Sequence, residues 1–315
     1  MSPSATSPVI IIGMHRSGTS LLTRVLQQAG FFMGRGTSRN EEAAFTNAIN
    51  AWLFRQASAT WDCPESMDLL LADQELRPWL RDYIGGIIRG PAALRFLGLK
   101  RGLRGGGLPA QCTPWGWKDP RNTFTLPLWL ELFPEARVLH IVRHGVDVAA
   151  SLRRRRQEEF AARVARYRRR RRWTWLNPLA PKHRGFGPQV RCRTLEGGFE
   201  LWQLYVERAM EHVQFLGGQA LTIKYEALLT DPLPNLRQAL DFCGCVMDES
   251  SLRAAFFVAK KNRPIWPVKE FRLHQIQHRP IPTRTPTGGT NTPLSTGCAS
   301  MSGLNDSLMT MPPLC

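Results

Sequence analysis

Eight residues constrain this chain more than any others: Gly13-Met-His-Arg-Ser-Gly-Thr-Ser20, set between an apolar run and an amphipathic stretch. The run before it, Pro8-Val-Ile-Ile-Ile12, is continuous and β-branched, the pattern of a strand buried on both faces of a parallel sheet. After it, Leu21, Leu22, Val25 and Leu26 share one helical face, so the spacing predicts a helix over 17–29 that stops at Gly30. A tight loop between such a strand and helix aims backbone N–H groups and the positive end of the helix dipole at one point. That is an anion site. Gly13 and Gly18 let the backbone turn and approach the anion with no Cβ in the way.

The loop departs from the Walker A pattern, G-x-x-x-x-G-K-[ST], in one position that matters. Thr19 stands where the lysine belongs, and the loop's cation is Arg16, two residues before Gly18. A kinase or ATPase without that lysine is poorly equipped to stabilise a transferring γ-phosphate. A second clear strand, 137–142, points the same way. It ends in Arg143 instead of the Asp that helps to hold magnesium, and Ser151 follows just over one turn into the next helix. A guanidinium and a hydroxyl converging at a strand end suit a second phosphate, bound directly and without metal. The two sites together imply a nucleotide with two separate anionic groups.

The remaining pattern sets the fold class. Helices are expected over 40–56, 73–88, 123–132, 146–155, 195–215 and 233–242, with short strands over 115–118 and 220–224; residues 89–107, rich in Gly and Arg, give no clear reading. Strands alternating with helices mean an α/β fold, a P-loop-type central parallel sheet flanked by helices with right-handed crossovers. One domain is expected over 8–272. Residues 273–315 are dominated by Pro, Thr, Ser and Gly and read as a disordered tail.

The chain carries a net charge of +17, and this charge is local. Residues 153–193 hold fourteen Arg and one Lys against Glu158 and Glu159, leaving only about +4 for the rest. Arg153–Arg156 and Arg168–Arg172 bracket a stretch that reads as a charged helix, and this arginine-rich insertion begins directly after Ser151, at the expected mouth of the anion pocket. It suits an acidic glycan or peptide acceptor, an anionic surface met through Arg153–Arg172, or nucleic acid held without sequence preference; a solvated insertion is the plain alternative. The seven cysteines include no C-x-x-C pair, so reduced thiols in a cytoplasmic protein are expected. No run approaches the roughly 20 apolar residues of a membrane-spanning helix, so a soluble protein without an integral membrane segment is expected.

Three segments in order, Gly13–Ser20, Arg143…Ser151 and Lys224-Tyr-Glu-Ala-Leu-Leu-Thr-Asp-Pro232, together resemble the sulfotransferases, over roughly residues 8–260. The bacterial members are most similar and the tyrosylprotein sulfotransferases more remotely so. The resemblance implies an enzyme that uses 3′-phosphoadenosine-5′-phosphosulfate and no metal. It implies that Arg16, Ser17, Gly18, Thr19 and Ser20 hold the 5′-phosphosulfate, that Arg143 and Ser151 grip the 3′-phosphate, and that Tyr225 lies against the adenine. Lys118 matches a lysine that supports the leaving phosphate or the sulfuryl group, and Arg16 shares that catalytic role.

The catalytic base is less plain. Small-molecule sulfotransferases carry a His shortly after this lysine, whereas Lys118 is followed by Asp119, Pro120 and Arg121. The tyrosylprotein and several bacterial enzymes use a Glu downstream of the first helix, which makes Glu41 or Glu42 the candidate. Ser38-Arg-Asn-Glu41 also reads as a capping box, which ties Glu41 to the helix start and leaves Glu42 freer. His15, His140 and Asp119 are weaker candidates. The acceptor hydroxyl (carbohydrate, protein tyrosine, lipid or small alcohol) stays open. The rival readings are a P-loop nucleotide kinase or NTPase, and a polyanion-binding protein with a vestigial nucleotide site.

Overall fold

The structure is a computed structural model that describes residues 7–38, 40–103, 105–111, 113–175, 186 and 190–261. The tail expected over 273–315 and most of 176–189 lie outside the described residues. Four strands run β1 Val9–Ile12, β2 Gly116–Lys118, β3 Arg137–Val142 and β4 Ala220–Lys224. Between β1 and β2 lie α1 Thr19–Gln28, α2 Ala44–Gln56, α3 Met67–Ala72, α4 Leu76–Arg89 and two single turns, α5 Leu94–Leu97 and α6 Leu99–Gly102. Then come α7 Asn122–Leu132 before β3, and α8 Gly145–Trp175 and α9 Leu195–Leu216 before β4. After β4 stand α10 Tyr225–Thr230, α11 Pro232–Phe242 and α12 Glu249–Lys261.

The strands form one parallel sheet in the order β2-β1-β3-β4, with Val9 opposite both Gly116 and Arg137, and Val138 opposite Ala220. The connection from β1 goes to one side and that from β3 to the other. The carboxyl ends of β1 and β3 therefore flank a topological switch point, where sheets of this kind hold ligands. Successive strand residues face opposite layers. Ile10, Ile12 and Val138 are sealed among Phe54, Ile84, Leu126 and Tyr205 on one face, while Ile11, Leu139, Ile141 and Ile223 pack with Leu22, Leu236 and Leu252 on the other. Both faces are apolar because both are covered, as the continuous Val-Ile-Ile-Ile run requires.

A buried polar network ties the layers together. Asn122 Nδ2 donates to Ile11 O at 3.1 Å, and Asn122 Oδ1 accepts from Asn50 Nδ2 at 2.7 Å and Trp117 Nε1 at 3.2 Å. Asn50 Oδ1 accepts from Thr125 Oγ1 and Trp129 Nε1. With every amide group matched, the network positions α2 and α7 against β1 and β2 at little desolvation cost.

Two helices differ in extent from expectation. The second helix starts at Ala44 instead of near Asn40, because residues 37–43 fold back on themselves: Thr37 bridges Ala43, and Ser38 N donates to Glu42 O at 2.9 Å. Ser38 is consequently no helix cap. Its Oγ accepts from the backbone of Asn40 and Glu42 inside that turn, Glu41 has φ +60°, and the capping-box reading of Glu41 falls. The helix expected over 146–155 and the charged helix expected in the arginine-rich stretch are one continuous helix that runs to Trp175, sustained by Ala and Arg, both good helix formers, and by the Arg155–Glu159 pair at i,i+4. Helices α3 and α12 were not anticipated.

Candidate active site

The loop of residues 13–18 opens at Gly13, whose φ is +129° and where a Cβ would stand 2.5 Å from Ile141 O on the neighbouring strand. Only glycine lets β1 and β3 pass this closely. Gly13 N donates to Thr123 Oγ1 at 3.2 Å, so α7 pins the loop's first residue. Arg16 is held at φ +74°, a costly conformation for a side-chain-bearing residue. Gly18, at φ +95°, caps α1 with no side chain, and the first turn of α1 has no acidic residue. The helix start thus keeps its positive character for an anion.

Around this loop lies a cleft of ≈ 300 Å³ lined by Arg16, Gly18, Thr19, Ser20, Lys118, Arg143 and Tyr225, among others. Elements more than a hundred residues apart converge here. Arg16 Nε donates to Ser151 Oγ at 2.8 Å. Arg143 Nη1 reaches Arg16 O at 3.4 Å, and its Nη2 meets Asp147 Oδ2 at 3.3 Å. The Arg143 guanidinium stacks 4.8 Å from the centre of the Tyr225 ring, and Trp202 Nε1 holds the Arg143 carbonyl at 2.9 Å. Tyr225 packs against Gly18, where any Cβ would overlap the ring. Burial raises the Tyr225 phenol above its ordinary value. Among the described residues, Ser17 Oγ and Arg143 Nε are buried with no hydrogen-bond partner. Buried polar atoms of this kind are normally satisfied, and an anion in the cleft would answer Arg143, which lines it, while Ser17 lies behind the lining residues.

The sequence-based candidates Lys118 and Glu42 form one buried pair, Nζ to Oε1 at 3.2 Å, with side chains 1% and 12% exposed. Lys118 Nζ also donates to Asn40 O. Burial lowers the Lys118 pKa and the Glu42 carboxylate works against that fall. Glu42 Oε2 accepts from Asn47 Nδ2 at 3.2 Å. Glu41 is directed elsewhere, to Arg24 at 3.8 Å, so two adjacent carboxylates part company.

Beside the cleft is a second cavity of ≈ 340 Å³, with Phe54, Ala59, Trp61 and Arg121 in its walls. His15, Asn40, Glu42 and Arg155 line both spaces. Arg121 and Asp119 form a fixed fork, with Nη2 and Nε on the two carboxylate oxygens at 2.8 and 3.1 Å, and Asn50 Nδ2 adds a further bond to Asp119. That leaves Asp119 fully engaged as a structural group. His15 meets Trp61 edge-on at 4.6 Å between ring centres. Burial, then Lys118, Arg121, Arg155 and Arg16, hold its imidazole well below the ordinary range and hence neutral. His140 lies away from the cleft in β3, bonded to Thr222 Oγ1 at 3.2 Å, with burial and then His212 lowering its pKa to about 4.

Sequence reasoning did not single out Asn40, Asn47, Trp61 or Arg155. Asn47 and Asn50 stand three apart on one face of α2, and that polar pair inside an apolar helix was the available signal. Asn40 and Trp61 sit in irregular chain with no periodicity to reveal them. Among the described residues no helix is long and apolar enough to cross a membrane.

A parallel α/β sheet whose first strand–helix loop and the arginine after its third strand face one cleft offers a site suited to an anion. The sequence model of the sulfotransferase family matches residues 8–249, and the chain belongs to that family. Solved structures similar to this chain include the sulfotransferase domain of the Synechococcus PCC 7002 olefin synthase, 18% identical over 79% of this chain and 76% of that one, TM-score 0.43. Others are a sulfotransferase from Mycobacterium tuberculosis H37Rv (15% identical, 82% and 77% covered, TM-score 0.39) and one from Alicyclobacillus acidocaldarius (17% identical, 82% and 94% covered, TM-score 0.40). No match was found among curated proteins.

Proposed function

We propose that the chain transfers the sulfuryl group of 3′-phosphoadenosine-5′-phosphosulfate to a hydroxyl acceptor, with donor in the cleft and acceptor in the second cavity. The observation that carries this reading is Glu42, set in the wall common to both spaces and fixed by Lys118 and Asn47. A base there stands where the acceptor oxygen must meet the donor. The donor supplies an activated sulfuryl group when bound. Ser17, Gly18, Thr19 and Ser20 would hold its 5′-phosphosulfate at the start of α1. Arg143 and Ser151 would hold the 3′-phosphate, and Tyr225 the adenine, by stacking.

In this reading Glu42 accepts the acceptor's proton as the new S–O bond forms. Lys118 and Arg16 face the charge that develops on the leaving phosphate oxygen as the donor's own S–O bond breaks. Arg155 overlooks both cavities at the near end of the arginine series of α8, so the acid group of an anionic acceptor, glycan or peptide, would meet it first. No metal has a role, and thiols such as Cys192 and Cys243 suit a cytoplasmic setting.

Calorimetry with adenosine 3′,5′-bisphosphate tests the donor. The bisphosphate is expected to bind well above ATP, with equal affinity in magnesium and in chelator. A preference for ATP or a strict magnesium requirement would return the site to the kinase reading.

A further inference from the structure

Residues 83–118 contain no Asp or Glu, yet they include Arg89, Arg95, Lys100, Arg101, Arg104 and Lys118. The middle of this stretch splits its apolar side chains between two directions. Phe96 is fully buried, edge-on to Phe32 at 5.5 Å and to Trp115 at 5.9 Å, and Leu97 is buried beside it. With those two as anchors, Leu94, Leu99 and Leu103 are left outside, 38%, 69% and 82% exposed. Leu94 lies so close over Gly102 that a Cβ there would overlap it, which joins α5 and α6 into one patch. Gly98, at φ +71°, makes the turn between them.

Arg95 and Lys100 are exposed on the same two turns. Arg101 is committed inward instead, stacked 4.2 Å over Phe32 and bonded to Thr113 Oγ1 at 2.7 Å. Exposed leucines interleaved with cations, in a stretch without one acidic residue, complement a surface that is anionic at its headgroups and apolar beneath. We propose that residues 94–103 rest on an anionic membrane surface. Leu99 and Leu103 enter the headgroup–acyl boundary, while Arg95 and Lys100 meet lipid phosphates. The proposal is independent of the donor and acceptor assignments.

The test is co-sedimentation of the full chain with vesicles of phosphatidylcholine alone, or with about 30% phosphatidylserine. The chain is expected to bind the anionic vesicles. Leu99→Ser with Leu103→Ser should weaken that binding at least about tenfold, by removing apolar area that becomes buried. The arginines of α8 are a second possible source of attraction, so Arg168→Glu with Arg169→Glu is the comparison, and it is expected to do less. Unchanged calorimetry with adenosine 3′,5′-bisphosphate, or an unchanged melting temperature, reports that the serine variant is folded. The proposal is overturned if the wild type stays in the supernatant, or if the serine variant sediments like it. It is equally overturned if sedimentation velocity finds a dimer that the serine substitutions dissociate, since the patch would then join two copies of the chain.

Discussion

Lys118 Nζ donates to Glu42 Oε1 at 3.2 Å, joining the end of β2 to the turn before α2. The pair sits where the cleft and the second cavity meet, whereas Glu41 turns away to Arg24. Glu42→Gln is therefore expected to slow sulfuryl transfer at least about a hundredfold, as loss of a general base does. Glu41→Gln should change transfer little. Removing the carboxylate also deprives buried Lys118 of the partner that opposes its lowered pKa, so a fall in melting temperature is expected alongside. Calorimetry with adenosine 3′,5′-bisphosphate separates the two effects, because a folded Glu42→Gln variant keeps its donor affinity. Full transfer rates in both variants would move the base elsewhere, with His15 the next group in the shared wall.

Arg143 is the second anion contact in the proposed reading. Its Nε has no hydrogen-bond partner among the described residues, and its Nη2 is shared with Asp147. Arg143→Ala should weaken bisphosphate binding by about 2 kcal/mol or more, the loss of a charge-assisted bond to phosphate. Asp147→Asn should cost far less, since an amide oxygen still accepts from Nη2. Equal losses at the two positions would mean that the start of α8, and not the guanidinium, is being read.

Much of this arrangement was legible in the sequence wherever local chemistry and fold agree. The run Val9–Ile12, the glycines of the loop, Arg143 at a strand end and Lys118 on a three-residue strand all announce positions that the sheet then brings together. Glu42 was legible as one of two, and only the fold-back of residues 37–43 separates it from Glu41. That turn depends on the Thr37–Ala43 bridge, a contact that no periodicity reports. Trp61 and Arg155 reach the second cavity from irregular chain and from an arginine run whose residues look alike in sequence. Burial distinguishes them: both Arg155 and Arg156 pair with Glu159, but Arg156 is 4% exposed whereas Arg155 is exposed and lines the cavities.

Gly18 offers a test of the loop that removes no side chain. Its φ of +95° is strained for any L side chain, and a Cβ would overlap the Tyr225 ring. Gly18→Ala is expected to lower stability by about 1–3 kcal/mol. It should also weaken bisphosphate binding, because Tyr225 and the start of α1 must both shift. Gly30 has a similar φ of +88° with open space around it, so Gly30→Ala should cost only the backbone strain and leave binding alone. Measured denaturation midpoints and bisphosphate affinities for the two variants would contradict this account of the loop if they matched.

The last expectation concerns acid. His140 is buried in β3, and burial, with His212 behind it, lowers its pKa to about 4 from an ordinary 6.5. In the unfolded chain the imidazole takes up its proton as the pH falls through about 6.5, while in the folded chain it stays neutral until about 4. The unfolded state thus binds more protons throughout that window. Stability is full above about pH 6.5, declines as the pH falls, and has lost up to roughly 3 kcal/mol from this group by pH 4. His15 and His212 are lowered for the same chief reason and act in the same direction. His140→Asn removes the titrating group and keeps an amide to pair with Thr222 Oγ1. Its unfolding free energy should therefore fall less steeply between pH 6.5 and 4 than that of the wild type. Parallel curves for the two proteins in urea titrations across that range would show that His140 is not the group that couples folding to acid.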